Sequence, residues 1–453
     1  MSKQPVLPPL DGSISVLPGL VDFNERQNPD LPWAILAPES GTDVVSISFA
    51  EYAKATHRVA RILRPDGSSA NGEVIAVLAH CDSLLYLALL AGLVRAGYVP
   101  FPISPKNSVP AIISMFDKVA CGRIISQSSF QHVLAAVEAH FDERGRYLHV
   151  VDIPALDQVF PVIGGPSPAV EPFPSSVDRT FSPENPLFYL HSSGSTGFPK
   201  PIPLRQVQAL QWCRSPVLFD ARDHGIRWGS MPLPPYHTIG IYMQLFAPIM
   251  SGHPVSLYKP QYPAAPPVPT PLNVIRAARV TGATGIAIVP AFLESWAHSE
   301  ESMEFLKTLD ILVYAGGPLS PAIGDQLVSA GVKVYSVYGG TEFGVHTKIF
   351  DMDDSQGPDA DVKTSKDWEW VRFPDWMTCR WEPQGDGQFE LQCLTRPEHR
   401  PSVENLSDVT GYATHDLLVP HPTKKGLWKL VGRKDDVIVL SIGRHAAKPI
   451  VAC

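Results

Sequence analysis

One pattern constrains the fold of this chain more than any other. Between Glu73 and Ile103 a β-rich run (Val74 to Leu78) is followed by an apolar helical stretch (Ser83 to Arg95), a glycine stop at Gly97, and a second run beginning at Tyr98. That is a β-strand, a crossover helix and a second strand. The arrangement recurs at Gly285 to Val289 with a helix near Phe292. It recurs again at Ile311 to Tyr314, with a helix over Ser320 to Ala330, Gly331, and a run over Val332 to Tyr338. Strands alternating with helices predict mostly parallel sheets covered on both faces, that is, doubly wound α/β subdomains. Beyond Val345 the helical signals fade. Short alternating segments (Phe389 to Leu394, Trp428 to Val431, Val437 to Ser441) predict a small, distorted β-barrel-like unit. Proline-rich stretches at 152 to 186 and 259 to 271 read as connecting loops, because proline lacks the N–H donor that a helix or inner strand needs.

Composition narrows the function classes. The 453 residues suffice for roughly three units at about 150 residues each. A formal net charge of -8 argues against nucleic acid as a partner. Cys81, Cys121, Cys213, Cys379, Cys393 and Cys453 form no CxxC pair, so neither a zinc site nor a disulfide framework is signalled. No basic segment followed by an apolar run opens the chain, and the apolar stretch Leu84 to Val94 falls short of the roughly 20 residues that span a bilayer. The expectation is a cytoplasmic protein with no membrane partner.

Two motifs carry chemistry. The run Leu190-His191-Ser192-Ser193-Gly194-Ser195-Thr196-Gly197-Phe198-Pro199-Lys200 follows an apolar strand-like segment. Its glycines let successive backbone N–H groups turn toward an anion, its hydroxyls add donors, and Lys200 supplies compensating charge, which together suit a phosphate. Walker A spacing is not met, and a plain Ser/Gly turn would share the composition without the full run. Tyr338-Gly339-Gly340-Thr341-Glu342-Phe343-Gly344 follows a buried strand at the carboxyl edge of a parallel sheet, where ligands collect. Glu342 offers a hard oxygen ligand for Mg2+, Thr341 a phosphate contact and Tyr338 a flat face for a base; a structural glycine turn with one acid is the alternative.

These two motifs, with Tyr314-Ala315-Gly316-Gly317-Pro318-Leu319, Tyr412-Ala413-Thr414-His415-Asp416 and Gly432-Arg433-Lys434-Asp435-Asp436, occur in the order seen in the adenylate-forming superfamily. That superfamily comprises acyl- and aryl-CoA synthetases, nonribosomal peptide synthetase adenylation domains and luciferases. The resemblance covers essentially the whole chain. Its motifs look most like those of fungal nonribosomal-synthetase-like enzymes, including carboxylic acid reductases.

The resemblance implies an adenylation core over 1–440, with α/β subdomains at about 40–190 and 191–345, a β-barrel-like subdomain at 346–435, and a short tail at 441–453. It implies ATP, AMP and Mg2+ as ligands. Ser192, Ser193, Gly194, Ser195, Thr196, Gly197 and Lys200 would surround the β- and γ-phosphates, while Thr341 and Glu342 would handle the α-phosphate and the metal. Gly316, Gly317 and Pro318 would lie along the adenine beside Gly339, Tyr338 would stack on it, Asp416 and Arg433 would hold the ribose, and Asp435 would be a hinge. A surface ion pair is the plain alternative for Asp416 with Arg433.

His237 matches the position where an aromatic or histidine guards the acyl carboxylate, although a lone histidine is also a common structural residue. The acyl pocket would be lined by His237, Thr238, Ile239, Tyr242, Val313, Ala315, Val337 and Val345. None is acidic, and Thr238 stands where amino-acid-selecting relatives place an aspartate. An unpaired ammonium is expensive to bury in such a pocket, so an aryl or other non-amino carboxylic acid is expected. The expected product is an acyl-AMP with release of pyrophosphate, then transfer to a phosphopantetheine carrier or CoA thiol. The chain ends at Cys453, where the family continues into a lid with a catalytic lysine, so an impaired or noncatalytic adenylate-binding homologue is the alternative.

Overall fold

The computed structural model describes residues 4–174, 182–192, 198–262, 264–355 and 361–434, with the backbone of 437–439 and 445–447. They form two compact units, one of residues 1–213 with 225–283, the other of residues 214–224 with 284–453.

The first unit contains the anticipated strand–helix–strand element. Strands run in the order Val99–Pro102, Val74–Leu78, Arg123–Ser126, His149–Asp152, all parallel. Helix Ser83–Ala96 between the first two is buried along nearly its whole length and ends at Gly97, whose φ of +92° only glycine adopts without strain. Arg95 is tolerated in that apolar helix because it meets Asp22 at 2.5 Å and the Thr56 hydroxyl at 3.0 Å. In the same unit Trp228–Gly229, Val255–Tyr258 and Pro32–Ala37 are parallel, with Val45–Ser48 antiparallel at the edge. Helix Phe49–Leu63 leaves that edge through a capping box, in which Ser48 Oγ accepts from the Glu51 N–H at 3.1 Å and Glu51 Oε2 accepts from the Ser48 N–H at 2.8 Å.

The second unit contains the other two repeats as parallel strands Gly285–Ile288, Ile311–Tyr314 and Val334–Ser336, joined through helices Pro290–Ala297, Glu300–Leu306 and Pro321–Ser329. The last strand is shorter than the run Val332 to Tyr338, since the Tyr338 N–H leaves the ladder to donate to the Thr347 hydroxyl at 3.3 Å. The β-rich remainder is a five-stranded antiparallel sheet ordered Val371–Arg372, Leu427–Arg433, Gly411–Pro420, Gln388–Leu394, Cys379–Gly385. Leu391, Cys393 and Leu418 pack from this sheet against Tyr338 and Phe343. Among the described residues no helix is long and apolar enough to cross a membrane.

Candidate functional site

In the first unit the two ends of the serine- and glycine-rich motif lie on paired strands. Strands Pro186–Ser192 and Lys200–Arg205 are antiparallel, with Ser192 opposite Lys200 and His191 opposite Pro201, so the ends of the motif meet across one ladder. Ser193, Gly194, Ser195, Thr196 and Gly197 lie outside the described residues. Lys200 is exposed at the start of its strand. His191 is half-buried, and its Nε2 accepts from the Ser104 N–H at 3.2 Å. Burial, followed by the neighbouring His237, lowers its pKa to about 4, so the ring is neutral at physiological pH.

His237 belongs to a tight turn. Its N–H donates to the Pro234 carbonyl at 3.0 Å, and a Cβ on Gly240 would lie 1.9 Å from that same oxygen, so only glycine lets the chain close there. Nδ1 accepts from the Ile239 N–H at 3.4 Å and caps the following helix. Although the side chain reaches solvent, surrounding protein desolvates the ring and lowers its pKa. A neutral ring accepting at Nδ1 carries its proton on Nε2, which makes that atom a donor for an oxygen ligand. Thr238 is buried, Ile239 half-buried, and Tyr242 fully buried with its ring edge-on to Trp212 at 6.0 Å. Ile241–Phe246 winds as a π-helix, a departure common at functional sites. From within it Gln244 donates to the Ser230 and Leu233 carbonyls, both at 2.7 Å, tying the turn to the helix.

In the second unit Val313 is buried in its strand, and Ala315, Gly316, Gly317 and Pro318 form the loop at the carboxyl end, with Gly316 and Pro318 exposed. The Ala315 N–H donates to Ile288 at 3.1 Å, and the N–H of buried Val337 donates to Tyr314 at 2.9 Å. A short ribbon then pairs Gly339 with buried Val345 and Gly340 with Gly344. Its tip is Thr341-Glu342-Phe343, with Thr341 buried and Glu342 half-buried.

Three motif residues distant in sequence are joined directly. The Tyr338 hydroxyl donates to Asp416 Oδ2 at 2.6 Å, and Arg433 Nη1 donates to Asp416 Oδ1 at 2.9 Å across adjacent strands that place Asp416 opposite Arg433. Burial and the Asp416 carboxylate hold the Tyr338 phenol far above the ordinary tyrosine range, so it remains a donor. Phe343 and Phe373 flank its ring at 5.6 and 6.0 Å. Asp435 lies outside the described residues.

The family model for AMP-binding enzymes matches residues 23–366. The chain belongs to the AMP-binding enzyme family. It is 42% identical over 451 residues to the adenylate-forming reductase Nps9 of Serpula lacrymans, covering 98% of this chain and 40% of that protein. It is 28% identical to a carboxylic acid reductase of Neurospora crassa, covering 90% and 38%. The chain therefore spans about two fifths of the length of these curated relatives. Among solved structures, ATP-bound MatB from Rhodopseudomonas palustris shares the fold at a TM-score of 0.69 and 18% identity, covering 96% of this chain and 82% of that one. MenE from Bacillus subtilis, in complex with ATP and magnesium ion, does so at 0.67 and 15%, covering 94% and 82%.

In this AMP-binding enzyme some features left no sequence signal. His346 and His399 are both buried, their rings edge-to-face at 4.6 Å beside Trp376. His399 Nε2 lies 3.0 Å from the Phe343 carbonyl, and the Ser402 N–H donates to the Glu342 carbonyl at 2.6 Å. No spacing rule links positions so far apart. The Tyr338–Asp416 bond was hidden for the same reason, although both ends were singled out by motif.

Proposed function

We propose that this chain activates a hydrophobic, non-amino carboxylic acid as its acyl-adenylate. The observation that carries the reading is the hydrogen-bonded line Tyr338–Asp416–Arg433, which draws three motifs of a family member into one polar constellation suited to a ribose. A carboxylate fixed between a phenol and a guanidinium is held in one orientation, and a carboxylate is the acceptor that the hydroxyls of a nucleoside require.

The donor set also fits the phosphate end and its metal. Glu342, half-buried at a ribbon tip, presents the hard carboxylate oxygen that Mg2+ prefers, and Thr341 adds a hydroxyl. Mg2+ bound there would neutralise phosphate charge. Lys200, with the serine- and glycine-rich segment before it, supplies cationic and N–H donors for the pyrophosphate leaving group. An acid is already ionised at neutral pH, so its oxygen can attack the α-phosphate as pyrophosphate departs, without a general base. Charge neutralisation and in-line placement are what these residues provide. The neutral His237, with Nε2 as donor, suits the acid's carboxyl group.

Thr238 in place of an acid, with Val313, Ala315, Val337 and Val345, favours an aryl or other apolar acid over an α-amino acid. The adenylate would pass to a phosphopantetheine or CoA thiol; relatives named adenylate-forming reductase and carboxylic acid reductase support an activated acyl group as the intermediate. ATP–pyrophosphate exchange with aryl, aliphatic and α-amino acids tests the reading. Exchange supported by aryl or aliphatic acids is expected. Exchange only with α-amino acids overturns the substrate class. No acid-dependent exchange, with tight binding of a non-hydrolysable adenylate retained, marks a binder without turnover.

A further inference from the structure

We propose that His399 is a positioning residue that fixes the Thr341–Phe343 tip so that the Glu342 carboxylate meets the metal; this rests on the adenylation reading above. Successive carbonyls of the tip are gripped from one short segment. His399 Nε2 donates to the Phe343 oxygen at 3.0 Å, and the Ser402 N–H donates to the Glu342 oxygen at 2.6 Å. That segment is itself closed by reciprocal bonds, with the Arg396 N–H donating to His399 at 2.8 Å and the His399 N–H to Arg396 at 3.2 Å. Phe343 also stacks on Tyr412 at 6.0 Å, a further contact on the tip.

The ring chemistry says why a histidine stands there. His399 is 1% exposed and boxed in by His346 and Trp376, and burial disfavours its charged form. A neutral ring has one N–H, and the Phe343 carbonyl takes it on Nε2, leaving Nδ1 as a bare acceptor. Neither the Nδ1 of His399 nor that of His346 has a hydrogen-bond partner among the described residues. An apolar side chain would pack this box without a stranded acceptor. What the histidine adds over such a residue is a single donor aimed at the Phe343 carbonyl, one residue past Glu342.

The test compares ATP binding by calorimetry with Mg2+ and in EDTA, on the full chain carrying H399L, H399Q or E342Q. With H399L, affinity for ATP with Mg2+ is expected to fall roughly tenfold, the value of one hydrogen bond, while affinity in EDTA changes less than about twofold. H399Q, whose amide nitrogen can reach the Nε2 position, should recover most of the loss. Equal losses with and without Mg2+, or no rescue by glutamine, overturn the positioning role while E342Q still abolishes the Mg2+ effect. If E342Q leaves the Mg2+ effect intact, the metal assignment itself fails. Should H399L not fold, H399Q and H399N decide the matter: asparagine places its amide nearer the Nδ1 position, so Gln close to wild type and Asn weak supports the proposal, and equal behaviour overturns it.

Discussion

His237 in the first unit is held by its own neighbours, Pro234 and Ile239, in a turn that Gly240 allows to close. Glu342 in the second unit is held by His399 and Ser402, far along the chain, through two backbone carbonyls. The first anchoring is local, made within the heptapeptide Pro234 to Gly240 and tied down by Gln244 a few residues on. The second exists only once the antiparallel sheet and the ribbon have formed. The difference teaches that residues proposed for one reaction can have unlike sensitivity to remote change: substitutions near 399 should disturb the proposed metal role of Glu342 and leave the proposed acyl role of His237 intact.

The largest expected effect is at the tip. Glu342→Gln keeps the shape of the side chain and removes its charge, and losing one such electrostatic contact costs about 100- to 1000-fold in rate. Acid-dependent ATP–pyrophosphate exchange should fall by that order while the circular dichroism spectrum stays unchanged. A loss below tenfold would place the metal elsewhere and remove one side of the comparison.

Gly240→Ala probes the other side. Its Cβ would meet the Pro234 oxygen at 1.9 Å, a backbone atom that cannot step aside. A destabilisation of about 2–3 kcal/mol follows, as for overpacked interiors, read as a lower urea midpoint with the slope unchanged. The apparent KM for the acid should rise as His237 loses its place, and ATP affinity should hold. Loss of both affinities together would show that the turn is not an independent anchor.

Asp416→Asn is expected to have a smaller effect, about 1–2 kcal/mol in ATP binding, because the amide retains one acceptor but trades a charged partner of Arg433 and Tyr338 for a neutral one. The KM for ATP should rise about tenfold with kcat changing little. A drop in kcat alone would assign Asp416 to the chemical step.

Much of this was legible in the sequence, and the residues show why. Val74 to Leu78, Ser83 to Arg95 and Gly97 announce their structure locally, through continuous apolar runs and a glycine that ends a helix, and the strand Val74–Leu78 and helix Ser83–Ala96 stand there. The same holds for Gly285 to Val289 and Ile311 to Tyr314. Motifs also singled out Tyr338, Asp416 and Arg433, and the structure joins them. Sequence could not supply what depends on distant pairing: the Tyr338 hydroxyl as donor to Asp416, the His346–His399 pair beneath the tip, or the π-helical stretch over Ile241–Phe246 with Gln244 tying down the turn. In each case the deciding partner is a backbone carbonyl or a side chain in another element, and periodicity carries no record of either.

The smallest effect tests the comparison from inside the first unit, because His191, which precedes Ser192 in the motif, is anchored remotely, by the Ser104 N–H. Its folded pKa of about 4 lies below the ordinary histidine value near 6.5, so the unfolded chain binds more protons between those limits. Stability must then be full above about pH 6.5 and decline as pH falls toward about 4. Between pH 7 and pH 6 the share of this one histidine is roughly half a kcal/mol, measurable as a shift in urea midpoint. His191→Gln should flatten the pH dependence by that amount. If the variant keeps the full wild-type slope, the histidine is not buried neutral, and remote anchoring in the first unit fails where it succeeds in the second.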